Sequence, residues 1–599
     1  MPVPTLIILT NGDDKFFGKG FDEIVFGLDG DDLIESVSGN DILNGGDGND
    51  TLWGGDDDDQ LFGGNDDDWL MGGDGADHLD GGSGSDWADY SVPFKVTGGI
   101  FVDLEANIGK DGEADGDTFA SIENIAGSPW NDELYGDKAD NHLIGGLSSD
   151  YLEGRGGDDT LWGGSGDDTL IGGPGADIMA GGKGDDLYEV DIAADVVDEK
   201  PGEGIDTVRT YVPFSIAGTG LENVWLLGFA NIGATGNAED NEMHGNGGSN
   251  TFLGGRGDDT YFLQNREDIV YEPTNGGNDK IVSTVSYTLG ANVERLELNG
   301  LADIYGIGNS GDNVISGNRG INLLAGGAGH DGYAVQNEKD VVVETPGSDY
   351  DEIWSSVTYT LPDNVEKLTL TGDADIDGSG NGLSNELTGN SGSNVLRGGG
   401  GDDGYFYDDL NDKIIELANE GDDLVLSSVS YTLPDNVEDL ALRNDSSAAV
   451  ATGNDLDNQI TGNNEDNALS GRGGKDTITG GEGIDSLYGD AGADTMSGGA
   501  DADVFVYASG AESANADEDT ILDFDDNGDD LIGLTGVYTG KLSFIGTAAF
   551  TAAGQVRIND IAGVDIEIEV NLAGPGTAEM SIRLADTTAA SITAADFLL

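Results

Sequence analysis

The chain has 599 residues, with 117 Asp plus Glu against 24 Lys plus Arg and a formal net charge of -93. Such acidity argues against nucleic acid as a partner, because phosphate binding needs basic stripes, and it opposes a compact state unless cations neutralise it. There is no cysteine, so an exported fold must be held by metal and packing. No apolar stretch approaches the roughly 20 residues of a transmembrane segment, and the first residues lack the basic segment of a cleavable secretory signal.

A nine-residue unit repeats in register between Leu9 and Asp89, and its clearest copies read Gly-Gly-x-Gly-x-Asp-x-apolar-x. Five consecutive copies begin at Gly45, Gly54, Gly63, Gly72 and Gly81. A period of nine divides into a six-residue glycine-rich turn and a three-residue strand with one inward apolar side chain. We therefore predict an all-β solenoid over residues 1–89, in which each unit is one rung.

The turns of this first array present carboxylates and backbone carbonyls. The sixth-position aspartates are Asp32, Asp41, Asp50, Asp59, Asp68, Asp77 and Asp86. An all-oxygen donor set suits Ca²⁺ better than Zn²⁺ or Cu²⁺, and the tandem nonapeptide is typical of calcium-binding β-solenoids. We predict that multiple Ca²⁺ ions bind here and that the repeats are largely disordered without them.

Residues 90–126 form an insertion that interrupts the register. Its apolar stretches around Phe101 and Ile122 predict short strands around a polar loop. The acidic residues Asp111, Glu113, Asp115 and Asp117 are interpreted as a solvated loop in preference to an isolated calcium site. The nine-residue register resumes over residues 127–189 as a second roll, with Asp150, Asp159, Asp168, Asp177 and Asp186 at the sixth position.

A longer period organises residues 190–479. Tyr287, Tyr359 and Tyr431 recur at a constant interval that equals eight rungs, and the alternation of apolar residues around them predicts half-buried strands in four such units. The sixth position is often Asn: Asn250, Asn313, Asn322, Asn385, Asn394, Asn458 and Asn467. An amide brings no charge, so we expect weak or absent calcium binding there and hydrogen-bonded ladders in place of ions. The last rung of each unit regains aspartate, at Asp259, Asp331, Asp403 and Asp476.

The C-terminal part begins with final rungs over residues 480–506, which contain Asp485, Asp494 and Asp503. Residues 507–599 carry alternating apolar strands and are predicted to form a β cap over the last rung. Within them, residues 523–528 match the first half of an EF-hand loop. Leu534 stands where the bidentate Glu belongs, so we interpret this segment as a polar turn.

These residues resemble the RTX (repeats-in-toxin) family of secreted calcium-binding proteins. The resemblance implies a parallel β-roll with each ion between turns two rungs apart, so that Asp50 is matched with Asp68, Asp59 with Asp77, Asp150 with Asp168 and Asp159 with Asp177. It also implies roughly ten to fifteen ions of modest affinity.

The C-terminal segments Gly498–Tyr507 and Asp519–Phe524 are similar to the domain that follows the repeats in serralysin-type metalloproteases. The extreme end, Asp596-Phe-Leu-Leu599, is similar to their uncleaved export signal. This likeness implies that the type I secretion apparatus of a Gram-negative bacterium carries the chain to the exterior or the cell surface.

The zinc protease domain of the serralysins is not predicted here. The histidines, interpreted as solvent-facing or turn residues, belong to no His-Glu-x-x-His pair; they are His78, His142, His244 and His330. Positions seven and nine of a rung point outward and hold Phe17, Phe26, Trp53, Phe62, Trp69, Met71, Trp87 and Trp162. Such residues stack on sugars or join a second protein, but packing against the insertion or a neighbouring unit is the favoured interpretation.

The leading hypothesis is a non-enzymatic, secreted structural or adhesive protein of the cell surface or matrix. It folds on Ca²⁺ and has a copy of itself or a surface polysaccharide as partner. One alternative is a secreted enzyme or toxin with an unrecognised active site. The other is an inert, calcium-loaded carrier for a partner.

Overall fold

The computed structural model describes residues 4–92, 98–347, 349–524, 530–561 and 563–599. These residues form β-strands and two short 3-10 helices, Gly112–Ala114 and Ala594–Asp596, so the all-β prediction is confirmed. The chain divides into two compact units, Met1–Asn299 and Gly300–Leu599. Most of the EF-hand-like segment lies outside the described residues. No helix in the described ranges is long and apolar enough to cross a membrane.

The N-terminal rungs alternate between two parallel sheets, sheet A and sheet B. Each strand pairs with the strand two rungs further on, as in the register Leu43 to Leu61 and Leu52 to Leu70. Sheet A contains Thr5–Ile8, Glu23–Asp29, Ile42–Asp47, Gln60–Asn65, His78–Ser83 and Thr118–Ala120. Sheet B contains Lys15–Phe17, Leu33–Glu35, Thr51–Asp56, Trp69–Asp74, Trp87–Asp89, Asn124–Ala126, His142–Leu147, Thr160–Ser165, Ile178–Lys183 and Val196–Val197.

The core of the first roll is a double stack of the eighth-position residues. Leu43, Leu61 and Leu79 from sheet A and Leu52 and Leu70 from sheet B are all 0% exposed. Because parallel in-register pairing brings the same position of alternate rungs together, one apolar residue per rung builds a continuous core. Each such side chain contributes about 1.5–3 kcal/mol of burial free energy.

The insertion extends the solenoid. Thr118–Ala120 pairs with His78–Ser83 at the edge of sheet A, and Asn124–Ala126 pairs with Trp87–Asp89 within sheet B. Phe101–Asp103 pairs with the strand at Leu134 and begins a third sheet, sheet C. The short strands predicted around Phe101 and Ile122 are therefore present. Asn124–Ala126 and an additional strand, Thr118–Ala120, continue the sheets of the roll.

Sheet C and a small fourth sheet run through the rest of the first unit. In this unit sheet C contains Phe101–Asp103, Ile108–Lys110, Glu133–Tyr135, Tyr151–Glu153, Thr169–Ile171, Leu187–Val190, Thr207–Thr210, Asn223–Leu226, Glu242–His244, Thr260–Leu263, Lys280–Ser283 and Arg295–Leu298. The small sheet contains Phe214–Ser215, Gly233–Thr235, Thr251–Leu253 and Ile269–Tyr271, and a further strand is Tyr287–Thr288.

The second unit is also a parallel solenoid. Its long sheet contains Val314–Ser316, Gly332–Val335, Glu352–Ser355, Lys367–Leu370, Glu386–Thr388, Gly404–Tyr407, Leu424–Ser427, Asp439–Leu442, Gln459–Thr461, Thr477–Gly481, Thr495–Gly499, Asp519–Ile521, Ser543–Phe544, Gln555–Ile561, Asp565–Asn571 and Met580–Leu584. Three shorter sheets contain Tyr305–Ile307, Leu323–Ala325 and Val341–Val342; Tyr359–Thr360, Gly378–Ser379, Val395–Arg397 and Lys413–Ile414; and Tyr431–Thr432, Val450–Thr452, Ala468–Ser470, Ser486–Tyr488, Val504–Val506, Leu531–Gly533 and Phe597–Leu598.

The C-terminal segment ends the solenoid with antiparallel strands. Gln555–Ile561, Asp565–Asn571 and Met580–Leu584 form a meander, and the last of these pairs in parallel with Asp519–Ile521. The final strand, Phe597–Leu598, pairs with Leu531–Gly533. The residues that resemble an export signal are thus part of a sheet in the folded chain.

Candidate calcium sites

The sixth-position aspartates form ladders along the turns. The Asp32 backbone N–H donates to Asp50 Oδ1 at 2.8 Å, and the Asp50 N–H donates to Asp68 Oδ1 at 2.8 Å. The same contact joins Asp59 to Asp77 at 2.7 Å, and Asp150 to Asp168 and Asp159 to Asp177 at 2.8 Å each. The structure therefore brings together the residues that the sequence matched two rungs apart.

The second carboxylate oxygen of these aspartates has no hydrogen-bond partner, although it is buried. This holds for every sixth-position aspartate predicted to bind calcium except Asp41: Asp32, Asp50, Asp59, Asp68, Asp77, Asp86, Asp150, Asp159, Asp168, Asp177, Asp186, Asp259, Asp331, Asp403, Asp476, Asp485, Asp494 and Asp503. Burying an unpaired carboxylate is costly unless a cation compensates it. The orphaned oxygens therefore mark positions where a cation stabilises the turn.

A glycine at the first position keeps open the space beside each orphaned oxygen. A Cβ on Gly54 would lie 2.3 Å from Asp59 Oδ2 and 2.7 Å from the carbonyl oxygen of Gly72. A Cβ on Gly63 would lie 2.2 Å from the Oδ2 of its own aspartate. Carboxylate and carbonyl oxygens thus line one small space, which is the donor set that Ca²⁺ prefers. The residues present fit this ion.

Asp41 differs because its turn begins with Ser36 instead of glycine. The Ser36 hydroxyl donates a hydrogen bond to Asp41 Oδ2, so this carboxylate keeps no orphaned oxygen. The prediction of Asp41 as a ligand rests on the sixth position alone, and it stays a prediction for this serine-containing turn.

Burial raises the pKa of the aspartate carboxyl groups in the turns. It raises the pKa of Asp59 to about 8 and of Asp77 to about 7, and neighbouring aspartates, such as Asp77 beside Asp59, raise it further. Asp150 in the second roll is similar, with a pKa raised to about 8 by burial. Without a cation these carboxyl groups retain protons near neutral pH, so metal binding releases protons.

The asparagine rungs close their turns without orphaned atoms. Asn250 accepts the backbone N–H of Asn246 at 2.9 Å, and its amide donates to the Ile232 carbonyl at 3.1 Å and to Asn246 Oδ1 at 3.0 Å. Asn322 and Asn318 repeat this arrangement in the second unit. Hydrogen bonds therefore close these turns, as expected from the sequence.

The acidic loop of the insertion is only partly solvated. Asp117 is 1% exposed, its Oδ1 accepts the Asp77 N–H at 2.8 Å, and its Oδ2 accepts the Tyr90 hydroxyl at 2.7 Å. Glu113 is also buried, whereas Asp111 and Asp115 are exposed. The interpretation of a solvated loop is wrong for Asp117, because the insertion supplies this residue as the next member of the aspartate ladder.

Sequence reasoning also missed a set of buried carboxylates in the long units. In each copy, a Glu and then an Asp follow the last sixth-position aspartate at two constant separations. These residues are Glu199, Asp206, Glu272, Asp279, Glu344, Asp351, Glu416 and Asp423. The signal was available, since Asp-x-Tyr followed by Glu and Asp at these offsets recurs in every copy. A search restricted to the nine-residue register skips them, because the turn here is two residues longer.

The outward aromatic residues occupy both sheets of the roll. Phe26 and Phe62 lie on sheet A, and the tryptophans lie on sheet B. Trp69 stacks on Trp87 with ring centroids 4.8 Å apart, and these two residues are followed along the sheet by His142 and Trp162. Trp69 is 39% exposed and Trp162 is 47% exposed. These two side chains therefore keep exposed surface, and the interpretation that the outward aromatics pack against the insertion or a neighbouring unit stays a prediction.

The histidines were expected at solvent-facing or turn positions. His142 lies between Trp87 and Trp162, with ring centroids 5.0 and 4.7 Å away, and His244 stacks on Phe262 at 4.1 Å. His78 packs edge-on against Phe62. His330 is an exposed turn residue, as expected, and the other three are half-buried at outward strand positions, where they also contact aromatic rings.

Two family models match the chain. The RTX calcium-binding nonapeptide repeat matches residues 9–43, 17–52, 35–70, 53–88, 127–161, 153–188, 234–263, 307–333 and 379–414. The peptidase M10 serralysin C-terminal model matches residues 441–599. The chain carries RTX calcium-binding repeats and a serralysin-type C-terminal domain. The repeats bind Ca²⁺, and the secretion-associated domain implies a secreted protein.

Individual relatives match short parts of the chain. Endo-1,3-1,4-beta-glycanase ExsH of Rhizobium meliloti (strain 1021) is 39% identical over 90 residues, which is 15% of this chain and 19% of that protein. The chain thus spans about a fifth of that relative's length. Two solution structures of Azotobacter vinelandii mannuronan C5-epimerase subunits also match. AlgE6R3 is 28% identical over 24% of this chain and 78% of its own, with a TM-score of 0.20. AlgE6R2 is 24% identical over 25% of this chain and 91% of its own, with a TM-score of 0.19.

Proposed function

We propose that this secreted RTX protein is a calcium-triggered extracellular scaffold, with a structural or adhesive role and no catalytic activity of its own. The observation that carries the proposal is the run of buried aspartates whose Oδ2 atoms lack partners, from Asp50 to Asp86 and from Asp150 to Asp186. We assign these side chains, and their counterparts up to Asp503, as the calcium ligands. The free energy of ion binding is then free energy of folding.

The charge of the chain makes calcium a switch for folding. With a formal net charge of -93, a calcium-free chain repels itself and stays extended. Such a chain suits export as an unfolded polypeptide from a compartment poor in calcium. Ion binding outside the cell then neutralises the turns and forms the rolls, so that folding occurs only where the scaffold acts.

The aromatic row on sheet B supports an adhesive surface. Trp69, Trp87, His142 and Trp162 form a series of rings along one outer face, with neighbouring centroids 4.7 to 5.0 Å apart. Exposed aromatic rings stack on sugar rings or pack against protein. The named function of the glycanase relative makes a polysaccharide the favoured partner of this face.

The experiment is a calcium titration of chelator-treated protein, followed by circular dichroism and light scattering in the same sample. We expect a cooperative gain of β signal accompanied by growth in particle size. Mg²⁺ is the control, because its demand for a small octahedral site disfavours the open turns. A compact monomer at saturating calcium would overturn the scaffold and favour the carrier alternative, and hydrolysis of a glycan panel would overturn the non-catalytic role.

Adhesion is tested separately with immobilised polysaccharides. Trp87→Ala is expected to weaken calcium-dependent retention on a β-glucan matrix, because it removes the ring between Trp69 and His142. Phe62→Ala on sheet A is the matched control, since it removes an outward ring from the opposite sheet of the same roll. Equal retention of the two variants and the unmodified protein would contradict a binding face on sheet B.

A further inference from the structure

Four buried groups of three carboxylates recur in the long units, and the nonapeptide pattern includes only the first residue of each. Each group has one carboxylate oxygen per residue, and these atoms lie within 4.8 Å of one another. The acidic triads are Asp186, Glu199 and Asp206; Asp259, Glu272 and Asp279; Asp331, Glu344 and Asp351; and Asp403, Glu416 and Asp423. Two triads lie in each compact unit.

The backbone positions each triad at the start of a lengthened turn. In the second triad, the Asp259 N–H donates to Asp279 Oδ1 at 2.9 Å over a separation of 20 residues, where ordinary rungs have 18. Glu272 occupies the position where ordinary turns have their first glycine. A Cβ on Gly254 would lie 2.1 Å from Glu272 Oε1 and 2.3 Å from Asp259 Oδ2. The glutamate side chain thus enters the space that a backbone carbonyl lines in the nonapeptide turns.

A buried tyrosine orients each glutamate. Tyr188, Tyr261, Tyr333 and Tyr405 are all 0% exposed, and each donates its hydroxyl hydrogen to the glutamate of its own triad. The tyrosine stands at the eighth position, where the nonapeptide rungs have leucine. This contact fixes one oxygen of the glutamate and so holds its carboxylate beside the two aspartates.

Hydrogen bonds leave part of each triad unsatisfied. In the second triad, Asp259 Oδ2, Glu272 Oε2 and Asp279 Oδ2 are buried without partners, and the residues themselves are 0%, 9% and 0% exposed. Asp403, Glu416 and Asp423 show the same three orphaned oxygens. Among the described residues, no lysine or arginine forms an ion pair with any triad.

Two other buried acids of the same units show that burial alone does not orphan a carboxylate. Asp268 is 4% exposed, but its Oδ1 accepts the Asn250 N–H at 2.8 Å and its Oδ2 accepts the Asn265 N–H at 3.1 Å. Asp340 makes the equivalent contacts with Asn322 and Asn337. Their counterpart Asp412 keeps one orphaned oxygen but belongs to none of the four groups. Three orphaned oxygens held together therefore distinguish the second and fourth triads from these single acids. The first triad keeps two, Asp186 Oδ2 and Asp206 Oδ2, and the third keeps one, Asp331 Oδ2.

We propose that each triad is a cation site of its own class, which binds a hard divalent ion of the size of Ca²⁺ through three carboxylates. Ligands at 2.3–2.6 Å from such an ion lie at most about 5 Å apart, which agrees with the observed limit of 4.8 Å. Each site carries one more carboxylate than a pair of nonapeptide aspartates. Because charge count tunes calcium affinity, the triad ions are the last to leave when calcium is withdrawn.

The proposed sites make the stability of each long unit depend on a bound ion. The second, third and fourth triads are preceded by asparagine rungs that close without ions, so in these units the triad is where calcium acts. The first triad follows the aspartate rungs of Asp168 and Asp177. This proposal does not depend on the scaffold function, because it concerns how many ions the folded chain holds and how tightly.

The test counts ions bound to the full-length protein across a series of calcium–chelator buffers. The fourfold variant E199Q, E272Q, E344Q and E416Q keeps the acceptor for each tyrosine but removes one charge from every triad. We expect it to retain four fewer ions than the unmodified protein at low free calcium, one for each triad, with affinity at these sites lowered at least about tenfold. Circular dichroism in saturating calcium checks that the variant folds.

The control is the pair Glu267→Gln and Glu338→Gln, which removes exposed carboxylates from the same units and is expected to leave the ion count unchanged. If the fourfold variant loses β signal, the single variants Glu272→Gln and Glu344→Gln test the proposal instead. Each is expected to bind one ion fewer than the unmodified protein. An ion count and affinity equal to those of the unmodified protein would overturn the proposal and identify the triads as protonated, hydrogen-bonded clusters.

Discussion

The aspartate rungs of the two rolls and the asparagine rungs of the long units share one backbone plan but close their turns differently. In an aspartate rung, Asp50 uses Oδ1 to accept a backbone N–H and leaves Oδ2 buried without a partner. In an asparagine rung, the amide of Asn250 donates to a carbonyl and to Asn246. Exchange of a carboxylate oxygen for an amide nitrogen therefore separates turns with an orphaned buried oxygen from turns whose side chain is fully hydrogen-bonded.

The largest expected effect of this difference is regional unfolding on calcium removal. Hydrogen exchange should show a loss of amide protection in Gln60–Asn65 and Trp69–Asp74, because their turns then contain unpaired buried carboxylates. Protection in Thr251–Leu253, which follows an asparagine turn, should fall least. Uniform loss along the chain would show that the asparagine rungs have no stability of their own.

A second prediction concerns the pH dependence of the calcium-free chain. Burial raises the pKa of Asp59 to about 8 and of Asp68 to about 7, from 3.8 in the unfolded chain. A raised pKa means that the folded state binds the proton more tightly, so its stabilising effect is present at low pH and is lost as pH rises toward 8.

Calcium-free protein should therefore show more β signal at pH 5 than at pH 8 by circular dichroism. The apparent affinity for calcium should change in the opposite sense, because protons compete for the same oxygens. Hydrogen exchange at the two pH values assigns the gain to a region. A gain centred on the asparagine rungs would contradict the assignment to the aspartate turns.

The third prediction compares Gly63, at the first position of an aspartate turn, with Gly382, at the third position of an asparagine turn. A Cβ on Gly63 would lie 2.2 Å from Asp68 Oδ2 and 2.6 Å from the Gly81 carbonyl, whereas a Cβ on Gly382 meets nothing within 4 Å. Gly63→Ala should therefore lower the free energy of unfolding in calcium by about 3 kcal/mol. Gly382→Ala is the matched control and should change it little. Equal effects in urea denaturation would show that the space beside Asp68 is not required.

Much of this arrangement could be predicted from the sequence, and the reason is the strict period. In-register pairing of every second rung follows from a nine-residue unit that alternates between two sheets, and the inward Leu43, Leu61 and Leu79 follow from the same period. The sixth-position aspartates were predicted for the same reason. A repeated local pattern needs no long-range information to be located correctly.

The parts that were missed depend on residues outside the period. Glu272 and Asp279 join Asp259 only because the intervening turn has two extra residues, and Asp117 reaches Asp77 across the insertion at a separation of 40 residues. Ser36 satisfies Asp41 from the first position of the turn. Each case is a side-chain contact that register alone does not specify.

The smallest expected effect comes from converting an asparagine rung toward an aspartate rung. Asn250→Asp replaces the amide donor to the Ile232 carbonyl and to Asn246 Oδ1 with a second acceptor, so three oxygens then face one another without a proton between them. We expect the free energy of unfolding to fall by about 1 to 2 kcal/mol in the absence of calcium.

The Asn250→Asp variant also tests whether one carboxylate at the sixth position is sufficient for a turn to bind calcium. Asn246 still fills the second position of the turn, so calcium should restore little of the stability lost in Asn250→Asp. Asn278→Asp is the control, since it adds the same charge at an exposed position and should be nearly neutral. Full rescue of Asn250→Asp by calcium in urea denaturation would contradict this. It would mean that the sixth position alone decides whether a rung binds an ion, whereas we expect Asn246 at the second position to oppose binding even when the sixth position is Asp.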